Sequence, residues 1–479
     1  MTKSNFCYYV SPFCTRYASK LMLNVFSQEK KIQIWRKLWV ALAEAEHELG
    51  LQISKEQIQE LKHNINKIDF KTADYYERIL KHDVMAHIHT YAQQCPNAAK
   101  IIHLGATSCY VVDNADIIIM KTGLEIIKKK LLGTIYLLAE FADKTKNVPC
   151  LAFTHLQPAQ LTTVGKRATL WLHDFVMDYK NIENLIKNLK LLGCKGTTGT
   201  QASFLKLFEN DEKKVELLEQ KIVNKMGFKK ATSVSGQTYS RKIDYFICCV
   251  LSGLAQSSTK FATDLRLLQN FKELEEPFDE NQIGSSAMPY KKNPMKSERI
   301  VSIARHIIVN TLNTAITASS QWLERTLDDS ANKRITISEI FLATDSILNL
   351  INNICNGIVI NKKIIEKNVQ KELPFMATEN ILMTAVKKGG NRQQIHEILR
   401  KLSWQVETEI KQGGENNLIE LIQKEPLLNL NKNELDTAIE AENFIGLSTT
   451  QVTKFLSEVV QPILQKNKDN IEIKSEVTV

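Results

Sequence analysis

The sequence predicts an all-α protein, and two observations favour helices over strands. The 18 glycines and 10 prolines make up about 6% of the 479 residues, roughly half their share in an average protein. Neither residue occurs between Met295 and Asn356. Hairpins and barrel corners need these residues, and ordinary strands and loops are far shorter than such a run. Long helices are therefore expected, and β-sandwiches, barrels and propellers are disfavoured.

Apolar residues recur at helical spacing along this run. In its first half they are Ile300, Ala304, Ile307, Ile308, Leu312, Ala315 and Ile316. In its second half they are Ile337, Ile340, Phe341, Ile347, Leu348, Ile351 and Ile354. The polar segment 324–330 separates the halves and predicts a break or a bend. We expect long helices that pack on one another, within and across subunits.

Three helical domains are expected, covering residues 1–108, 109–360 and 361–479. In the first, one helical face carries Trp35, Leu38, Trp39, Leu42 and Ala45. The central domain contains the longest helices. In the third, two Gly-Gly pairs indicate shorter helices.

The composition fits a cytoplasmic enzyme or scaffold. No stretch approaches ~18 consecutive apolar residues, and the first residues lack the pattern of a secretory signal. The nine cysteines include no Cys-x-x-Cys pair, as expected for reduced thiols. The net charge of +9 suits small anionic substrates. The clusters Lys30-Lys31 and Lys128-Lys129-Lys130 lack interleaved aromatics, so we interpret them as solvated helix faces and expect neither nucleic-acid nor membrane binding.

The most unusual segment is 284–299, in which small, polar and rigid residues precede an apolar-striped helix. Asn293 is a good N-cap and Pro294 a good first helical residue. The free N–H groups of that helix, with Lys291 beside them, favour an anion. The Gly-Ser-Ser stretch ahead of them is expected to be mobile. A linker followed by an ordinary cap is the competing interpretation.

Two further segments have weaker signals. Residues 154–160 place His155 ahead of another predicted helix, where it is either catalytic or simply a satisfied polar residue. Residues 103–108 combine hydroxyls with Gly105, so that backbone amides there can approach a carboxylate.

Several familiar motifs are absent from the sequence. The segment around Lys166 lacks the first glycine and the Ser/Thr of a phosphate-binding loop, and no Gly-x-Gly-x-x-Gly or Gly-x-Ser-x-Gly occurs. His82, His87 and His89 do not have the spacing of a His-Glu-x-x-His zinc site. Neither a metal nor a redox nucleotide cofactor is expected.

Residues 284–294, with the pattern Gly-Ser-Ser-x-Met-Pro-x-Lys-x-Asn-Pro, resemble the signature of the fumarase/aspartase superfamily of lyases. Ala287 and Tyr290 are most similar to the adenylosuccinate lyase family of animal type. Similarity continues over nearly the whole chain, at residues 16–19, 81–87, 235–238, 321–330 and 375–380.

The resemblance implies a homotetramer around the central helices, with each active site built from three subunits. It also implies a carbon–nitrogen lyase of purine biosynthesis that needs no metal or organic cofactor. Its reaction is β-elimination of fumarate from adenylosuccinate, giving AMP, and from succinylaminoimidazole carboxamide ribotide. A sister lyase acting on argininosuccinate, aspartate or malate and a catalytically silent helical scaffold remain as alternatives.

The same resemblance assigns the site residues. It makes Ser285 the base and His155 the acid, with Glu298 orienting His155 and with Lys291 and His82 completing the catalytic set. The implied substrate contacts are Arg16, Tyr17, Lys81, His82, Asp83, Thr107, Ser108, Gln237, Asn293, Arg299, Arg325, Ser330 and Arg334. Of these, Thr107 and Ser108 match positions that hold the fumaryl carboxylate. The nucleotide and its phosphate fall to Arg16, Tyr17, Arg325, Ser330 and Arg334. Animal relatives often carry Arg where Lys81 stands, so the charge is kept but the bidentate fork is lost.

Overall fold

The computed structural model describes residues 7–473, and it confirms the all-α fold. The helices in this part of the chain are α1 (Lys20–Val25), α2 (Gln28–Glu48), α3 (Lys55–His63), α4 (Phe70–Leu80), α5 (Asp83–Gln94), α6 (Ser108–Thr145), α7 (Val164–Asn188), α8 (Ala202–Leu207), α9 (Glu212–Lys225), α10 (Lys242–Asn270), α11 (Met295–Ser319), α12 (Asp328–Gly357), α13 (Lys362–Met376), α14 (Thr378–Lys387), α15 (Arg392–Lys411), α16 (Leu418–Lys424), α17 (Lys432–Ala438), α18 (Ser448–Phe455) and α19 (Gln461–Lys466). The strands are β1 (Pro149–Thr154), β2 (Gln157–Thr163), β3 (Leu274–Glu275) and β4 (Val359–Ile360), paired antiparallel as β1–β2 and β3–β4.

The five longest helices of the middle of the chain, α6, α7, α10, α11 and α12, pack side by side as a bundle. The predicted interruption is confirmed, because α11 ends at Ser319 and α12 begins at Asp328. Within the described residues, no helix is long and apolar enough to cross a membrane.

The N-terminal helices confirm the predicted apolar face of α2, where Trp35, Leu38, Trp39, Leu42 and Ala45 are all buried. The block without glycine or proline at 51–94 nevertheless forms three separate helices. Side-chain caps mark their starts, since Ser54, Asp69 and His82 each accept a backbone N–H of the helix that follows. Polar caps therefore divide this block without any glycine or proline.

Helices α14 to α17 form a second, smaller core apart from that of the bundle, whereas α18 and α19 pack into the bundle core through Val452 and Leu464. The buried members of the smaller core include Ala377, Ile381, Leu399, Leu418 and Leu435. A third cluster joins α13 to the β1–β2 hairpin through Leu151, Leu161, Val369 and Leu373.

The apolar stripe predicted for α11 is divided between two surfaces. Ile300, Ala304 and Ile307 are buried in the bundle, whereas Leu312 and Ile316 are 61% and 58% exposed. Over the same C-terminal half, α11 buries three threonines instead, namely Thr311, Thr314 and Thr317. In this C-terminal half, the outer face of α11 is thus more apolar than its inner face.

The interpretation of Lys128-Lys129-Lys130 as a solvated face is wrong for one residue. Lys130 is 3% exposed, and its ammonium donates to Asp345 and Asn349 inside the bundle. Lys129 is exposed as expected. Sequence spacing alone did not reveal the buried carboxylate that Lys130 meets.

Glu46 on α2 is a buried carboxyl group without a partner. Its side chain is fully buried, and neither oxygen forms a hydrogen bond with the described residues. Burial raises its pKa to about 9. An unfolded glutamate titrates near pH ~4.3, so the folded chain retains a proton that the unfolded chain releases. Stability is therefore lost as the pH rises from about 4.3 towards the folded pKa.

We expect Glu46→Gln to raise the melting temperature at pH 8 and to change it little at pH 5. The gain at pH 8 is on the order of 1–3 kcal/mol, because glutamine has no ionised form to keep out of the core. Calorimetric melting at several pH values measures it. Glu48→Gln is the control, since hydrogen bonds from Lys221 and Lys225 lower the pKa of Glu48 to about 2 and predict no such gain. A Glu46→Gln effect independent of pH would contradict the assignment.

Candidate active site

A cavity of about 190 Å³ lies where the first turns of α6 and α12 meet the segment that leads into α10. Three of the predicted nucleotide contacts, Arg325, Ser330 and Arg334, line it. Its other polar lining residues are Gln28, Lys31, Asp113, Asp116, Tyr239, Arg241, Asp329, Lys333 and Ser338. The lining thus carries five cationic side chains against three carboxylates, a net positive charge that suits an anionic nucleotide.

Buried ion pairs fix the positions of several side chains that line this cavity. The guanidinium of Arg241 donates to both oxygens of Asp113 at 2.9 and 3.2 Å and to Asp329 at 2.6 Å. The second oxygen of Asp329 accepts from Arg325 at 2.8 Å. Burial raises the pKa of Asp329, but Arg241 and Arg325 outweigh it and hold that pKa below its ordinary value. Arg325 is thus held in place by a carboxylate that is itself fixed by Arg241.

A second cation, Lys333, with only 11% of its side chain exposed, lies beside this network. Its ammonium is 3.0 Å from Asp116, 3.1 Å from the hydroxyl of Tyr239 and 3.8 Å from Asp244. Burial lowers the pKa of Lys333, and the two carboxylates more than reverse this, so the pKa lies above its ordinary value. Sequence reasoning missed Asp113, Arg241, Asp329 and Lys333. The one available signal was ionisable residues inside otherwise apolar helix patterns.

The structure brings together the predicted contacts at residues 81–83 and 107–108. His82 Nε2 lies 3.3 Å from Ser108 Oγ, and Asp83 accepts from Arg334 at 2.9 Å. Lys81 ends α4 in the left-handed conformation, with φ of 53°. Thr107 is the N-cap residue of α6, whose first helical residue is Ser108. These contacts come from α4, α5, α6 and α12 and define one wall of the site.

The other histidines near His82 do not join it. The ring of His87 is buried with its centroid 5.7 Å from that of Trp35, and His89 stacks on Tyr76. Burial lowers the pKa of His87 to about 4. Within residues 7–473, no cluster of His, Cys, Asp or Glu is arranged to hold a metal ion.

Gln237 lies near the start of α6, and its side chain is held at both ends. Its amide oxygen accepts from the thiol of Cys109 at 3.4 Å, and its amide nitrogen donates to the carbonyl of Thr197 at 2.9 Å. Its backbone N–H donates to the carbonyl of Glu324, immediately before Arg325. Gln237 is therefore placed between the predicted fumaryl and nucleotide contacts.

Tyr17 and Arg299 form another pair of predicted contacts. The Arg299 guanidinium lies 5.7 Å from the centre of the Tyr17 ring. Arg16 adjoins Tyr17 in a short π-helix, Phe13–Tyr17. The N-terminal segment thus approaches α11 at a predicted substrate-contacting arginine.

Ser285 lies on the loop between β3 and α11, in a small group of backbone donors. Its Oγ accepts the N–H groups of Ala287 at 3.3 Å and Met288 at 3.1 Å. Two N–H donors stabilise a negatively charged oxygen more than a neutral hydroxyl. Asn293 closes the loop by donating to the carbonyl of Gly284 at 2.8 Å. A side chain at Gly284 would lie 2.2 Å from the carbonyl oxygen of Lys291, so the loop requires glycine there.

The predicted cap of α11 is wrong. The helix begins at Met295, Pro294 occupies the N-cap position, and Asn293 bonds within the loop instead. The buried carboxylate of Glu276 accepts the N–H groups of Lys296 and Ser297, both at 2.9 Å. Two of the helix N–H groups that were expected to favour a ligand anion are thus already bonded to a residue of the chain.

His155 lies at the tip of the β1–β2 hairpin, not directly ahead of a helix as predicted. His155 and Leu156 form the two-residue turn with φ of 54° and 59°. Residues 154–160 are all exposed, and His155 forms no hydrogen bond or ion pair with any described residue of the chain. Glu298, its predicted orienting partner, lies 4.0 Å from Arg266. Within one chain, His155 is therefore in contact with neither Glu298 nor Ser285.

Comparison with known proteins agrees with this fold. Residues 8–309 match a family model described as Lyase, and residues 374–455 match one described as Adenylosuccinate lyase C-terminus. A solved 3-carboxy-cis,cis-muconate lactonizing enzyme from Pseudomonas putida is similar with a TM-score of 0.82, at 20% identity and covering 94% of this chain and 99% of its own. A solved fumarate lyase from Mesorhizobium sp. BNC1 is similar with a TM-score of 0.78, at 19% identity, and the match covers 94% of this chain and 100% of that one. The fold is that of the fumarase/aspartase lyases.

Curated relatives narrow this class. The adenylosuccinate lyase of Saccharomyces cerevisiae is 48% identical and covers 95% of this chain and 96% of its own. The adenylosuccinate lyase of Schistosoma mansoni is 44% identical, and the match covers 98% of this chain and 99% of that one. The adenylosuccinate lyase of the archaeon Pyrococcus abyssi is 30% identical, and the match covers 91% of this chain and 95% of that one. The chain belongs to the adenylosuccinate lyase family, with greater similarity to these eukaryotic members. The argininosuccinate lyase alternative is not favoured.

We expect Asp329→Asn to lower stability by about 3 kcal/mol, because it breaks a buried pair and leaves Arg241 undercompensated. Asp328→Asn is the matched control on the same helical turn, where the carboxylate is exposed and, among residues 7–473, bonds only to Ser320 and Gln321. That change is expected to cost at most about 0.5 kcal/mol. Melting temperatures compare the two. Equal losses would show that the network does not stabilise the fold.

Proposed function

We propose that this chain cleaves adenylosuccinate to AMP and fumarate, and succinylaminoimidazole carboxamide ribotide to its carboxamide ribotide and fumarate. The observation that carries the proposal is the cation-lined cavity, whose Arg334 bonds to Asp83 next to the His82–Ser108 pair. It offers Arg325 and Arg334 to the phosphate, with the hydroxyls of Thr107 and Ser108 nearby for a carboxylate. Argininosuccinate, aspartate and malate carry no phosphate, so the arginines of this cavity would have no such group to bind in an enzyme for those substrates.

Ser285 acts as the general base. It removes a proton from the succinyl carbon next to the one that carries the nitrogen, and the carboxylate attached to the deprotonated carbon gains charge in the transition state. A serine hydroxyl is a weak base, so its surroundings must stabilise the alkoxide. The N–H groups of Ala287 and Met288 supply such stabilisation directly. The ammonium of Lys291, six residues on in the same loop, adds a positive charge.

The growing negative charge falls on residues at the start of α6. Thr107 and Ser108 donate hydroxyl hydrogen bonds to the carboxylate, and His82 beside Ser108 strengthens this group. Gln237 and Asn293 lie at the reacting end. Fixed donors of this kind stabilise a transition state because they need no reorganisation as charge develops.

His155 of another subunit completes the site as the general acid. As the C–N bond breaks, it protonates the leaving nitrogen. The exposed hairpin 154–160 is free to extend into a neighbouring chain. A groove of about 460 Å³, lined by Arg266, Lys292 and Glu298 among others, lies beside the Ser285 loop. In the assembly this groove receives the partner's hairpin, so that Glu298 orients the imidazole.

A homotetramer built around the long helices brings these parts together. The outer face of α11 exposes Val309 by 64%, besides Leu312 and Ile316, and α12 exposes Ile335 by 62%. Contiguous apolar residues on long helices are typical of a subunit interface. We retain the domain limits 1–108, 109–360 and 361–479, with the central domain forming the tetramer core.

Two further points belong to this proposal. Nine free cysteines, two of them exposed, fit the reducing cytoplasm, where purine synthesis takes place. Lys81 provides a single charge where a forked arginine would bind two oxygens, so it affects substrate affinity and not the reaction class.

We expect the purified protein to cleave adenylosuccinate and to be inactive towards argininosuccinate, aspartate and malate. Ser285→Ala should lower kcat by about 10²–10⁴-fold while substrate still binds, because only the proton transfer is lost. Release of fumarate and calorimetric binding of substrate measure the two effects.

Ser286→Ala is the matched control for this test. Ser286 is the adjacent exposed serine, and it lies outside the Ala287 and Met288 hydrogen bonds. Robust activity in Ser285→Ala together with loss in Ser286→Ala would move the base to Ser286. Turnover of argininosuccinate but not adenylosuccinate by the wild type would overturn the substrate assignment.

We expect mixtures of two inactive variants, His155→Ala and Ser285→Ala, to regain activity after dissociation and reassembly. If each site draws these residues from different chains, equal mixing restores about a quarter of wild-type activity. Fumarate release before and after mixing provides the measurement. Variants carrying both changes, mixed with either single variant, serve as the control and should remain inactive. Absence of recovery in reassembled tetramers would place both residues in one chain.

A further inference from the structure

A buried carboxylate ties the N-terminal segment 13–19 to the central bundle. The backbone N–H of Ser19 donates to Oδ2 of Asp345 at 2.7 Å. Asp345 lies in the middle of α12 with 0% exposure, and Ser19 is 6% exposed. This bond spans 326 positions of the sequence. Ser19 follows Tyr17 by two positions and Arg16 by three.

Lys130 of α6 holds Asp345 in place from the other side. Its ammonium donates to Oδ1 of Asp345 and, at 2.8 Å, to Oδ1 of Asn349. A carboxylate this deeply buried is costly without a cation beside it. With Lys130 in position, Asp345 accepts the Ser19 amide as a charge-assisted hydrogen bond, which is stronger than a neutral one.

The bond fixes the point where the chain turns from the N-terminal segment into α1. Ser19 is the N-cap residue of α1, with φ of −68° and ψ of 151°, and Ala18 is also extended. Only Ala18 separates the anchored amide from Tyr17, whose ring faces Arg299 on α11. Because so short a stretch of chain joins them, a displacement of Ser19 also displaces Tyr17 and Arg16.

We propose that Asp345, held by Lys130, is a positioning residue for nucleotide binding. It sets the location of Arg16 and Tyr17 without touching the substrate. The inference rests on the proposed function, in which those two residues contact the nucleotide and its phosphate. The fumaryl contacts Thr107 and Ser108 lie at the N-terminus of α6, about six turns from Lys130, so the anchor governs affinity for AMP and not affinity for fumarate.

Two substitutions at Ser19 isolate the anchored N–H. Ser19→Pro removes it, while φ of −68° already suits proline and an extended Ala18 suits the position before proline. Ser19→Ala keeps the N–H. Both lose the hydroxyl that caps Met22, so their difference reports the bond to Asp345. Asp345→Ala is less suitable, because it leaves Lys130 unpaired in the core.

Calorimetric titration with AMP tests the proposal independently of turnover. We expect the Kd for AMP to be about tenfold higher in Ser19→Pro than in Ser19→Ala, with inhibition by fumarate the same in both. Equal Kd values for AMP, or a parallel weakening of fumarate, would overturn it.

Folding and assembly are checked by circular dichroism and gel filtration. If Ser19→Pro does not assemble, Asp345→Asn replaces it, since the amide keeps an acceptor oxygen but loses the charge. AMP binding in that variant should also weaken several-fold, with fumarate inhibition unchanged, and unaltered AMP binding would overturn the proposal. A wild type that binds AMP but does not cleave adenylosuccinate would refute the proposed function and leave the anchor testable by AMP binding.

Discussion

The buried pairing of Arg241 with Asp113 and Asp329 is the interaction on which the candidate site depends. It joins α6 to the residue before α10 and to the first turn of α12. Each of these places adjoins a predicted substrate contact, namely Ser108, Gln237 and Arg325. A buried ion pair contributes little net stability, but breaking one partner away is costly. The network therefore fixes the mutual position of three helix starts more than it stabilises any one of them.

The groups proposed to move protons lie outside this rigid frame. Ser285 is on a loop held by backbone contacts of its own, and His155 is at an exposed hairpin tip. This division has a chemical reason, since elimination requires the substrate to be bound before the base and acid close on it and exclude water. In the proposed assembly, a preformed binding wall meets the first requirement, and catalytic groups supplied by a loop and by another chain meet the second.

Sequence reasoning predicted the helical fold, the break between α11 and α12 and the buried face of α2, because these follow from local periodicity. It missed the β1–β2 hairpin, since His155-Leu156 has no Asn-Gly or Asp-Gly signal and its left-handed turn uses ordinary residues. It placed the cap of α11 on Asn293, whereas the cap comes from Glu276, a choice made by tertiary packing. The predicted contacts at 81–83, 107–108 and Arg334 do meet, but they were found by family resemblance. The buried ion pairs of Arg241 join segments that are distant in sequence, and no spacing rule connects Asp113 to Asp329.

Glu46 and Lys130 show why such pairings decide what an ionisable residue does. Each sits at a core position of a long apolar helix, and neither is distinguished by its neighbours in sequence. Lys130 meets a carboxylate and becomes part of the link to the N-terminal segment. Glu46 meets no partner among the described residues and is kept neutral by burial.

The apolar residues of α11 also depend on what they pack against. Ile307 packs in the bundle, and in the proposed tetramer Leu312 packs against a second chain. A helix that must present two such faces has to stay straight and unbroken over many turns, which gives a physical reason for the scarcity of glycine and proline in this chain.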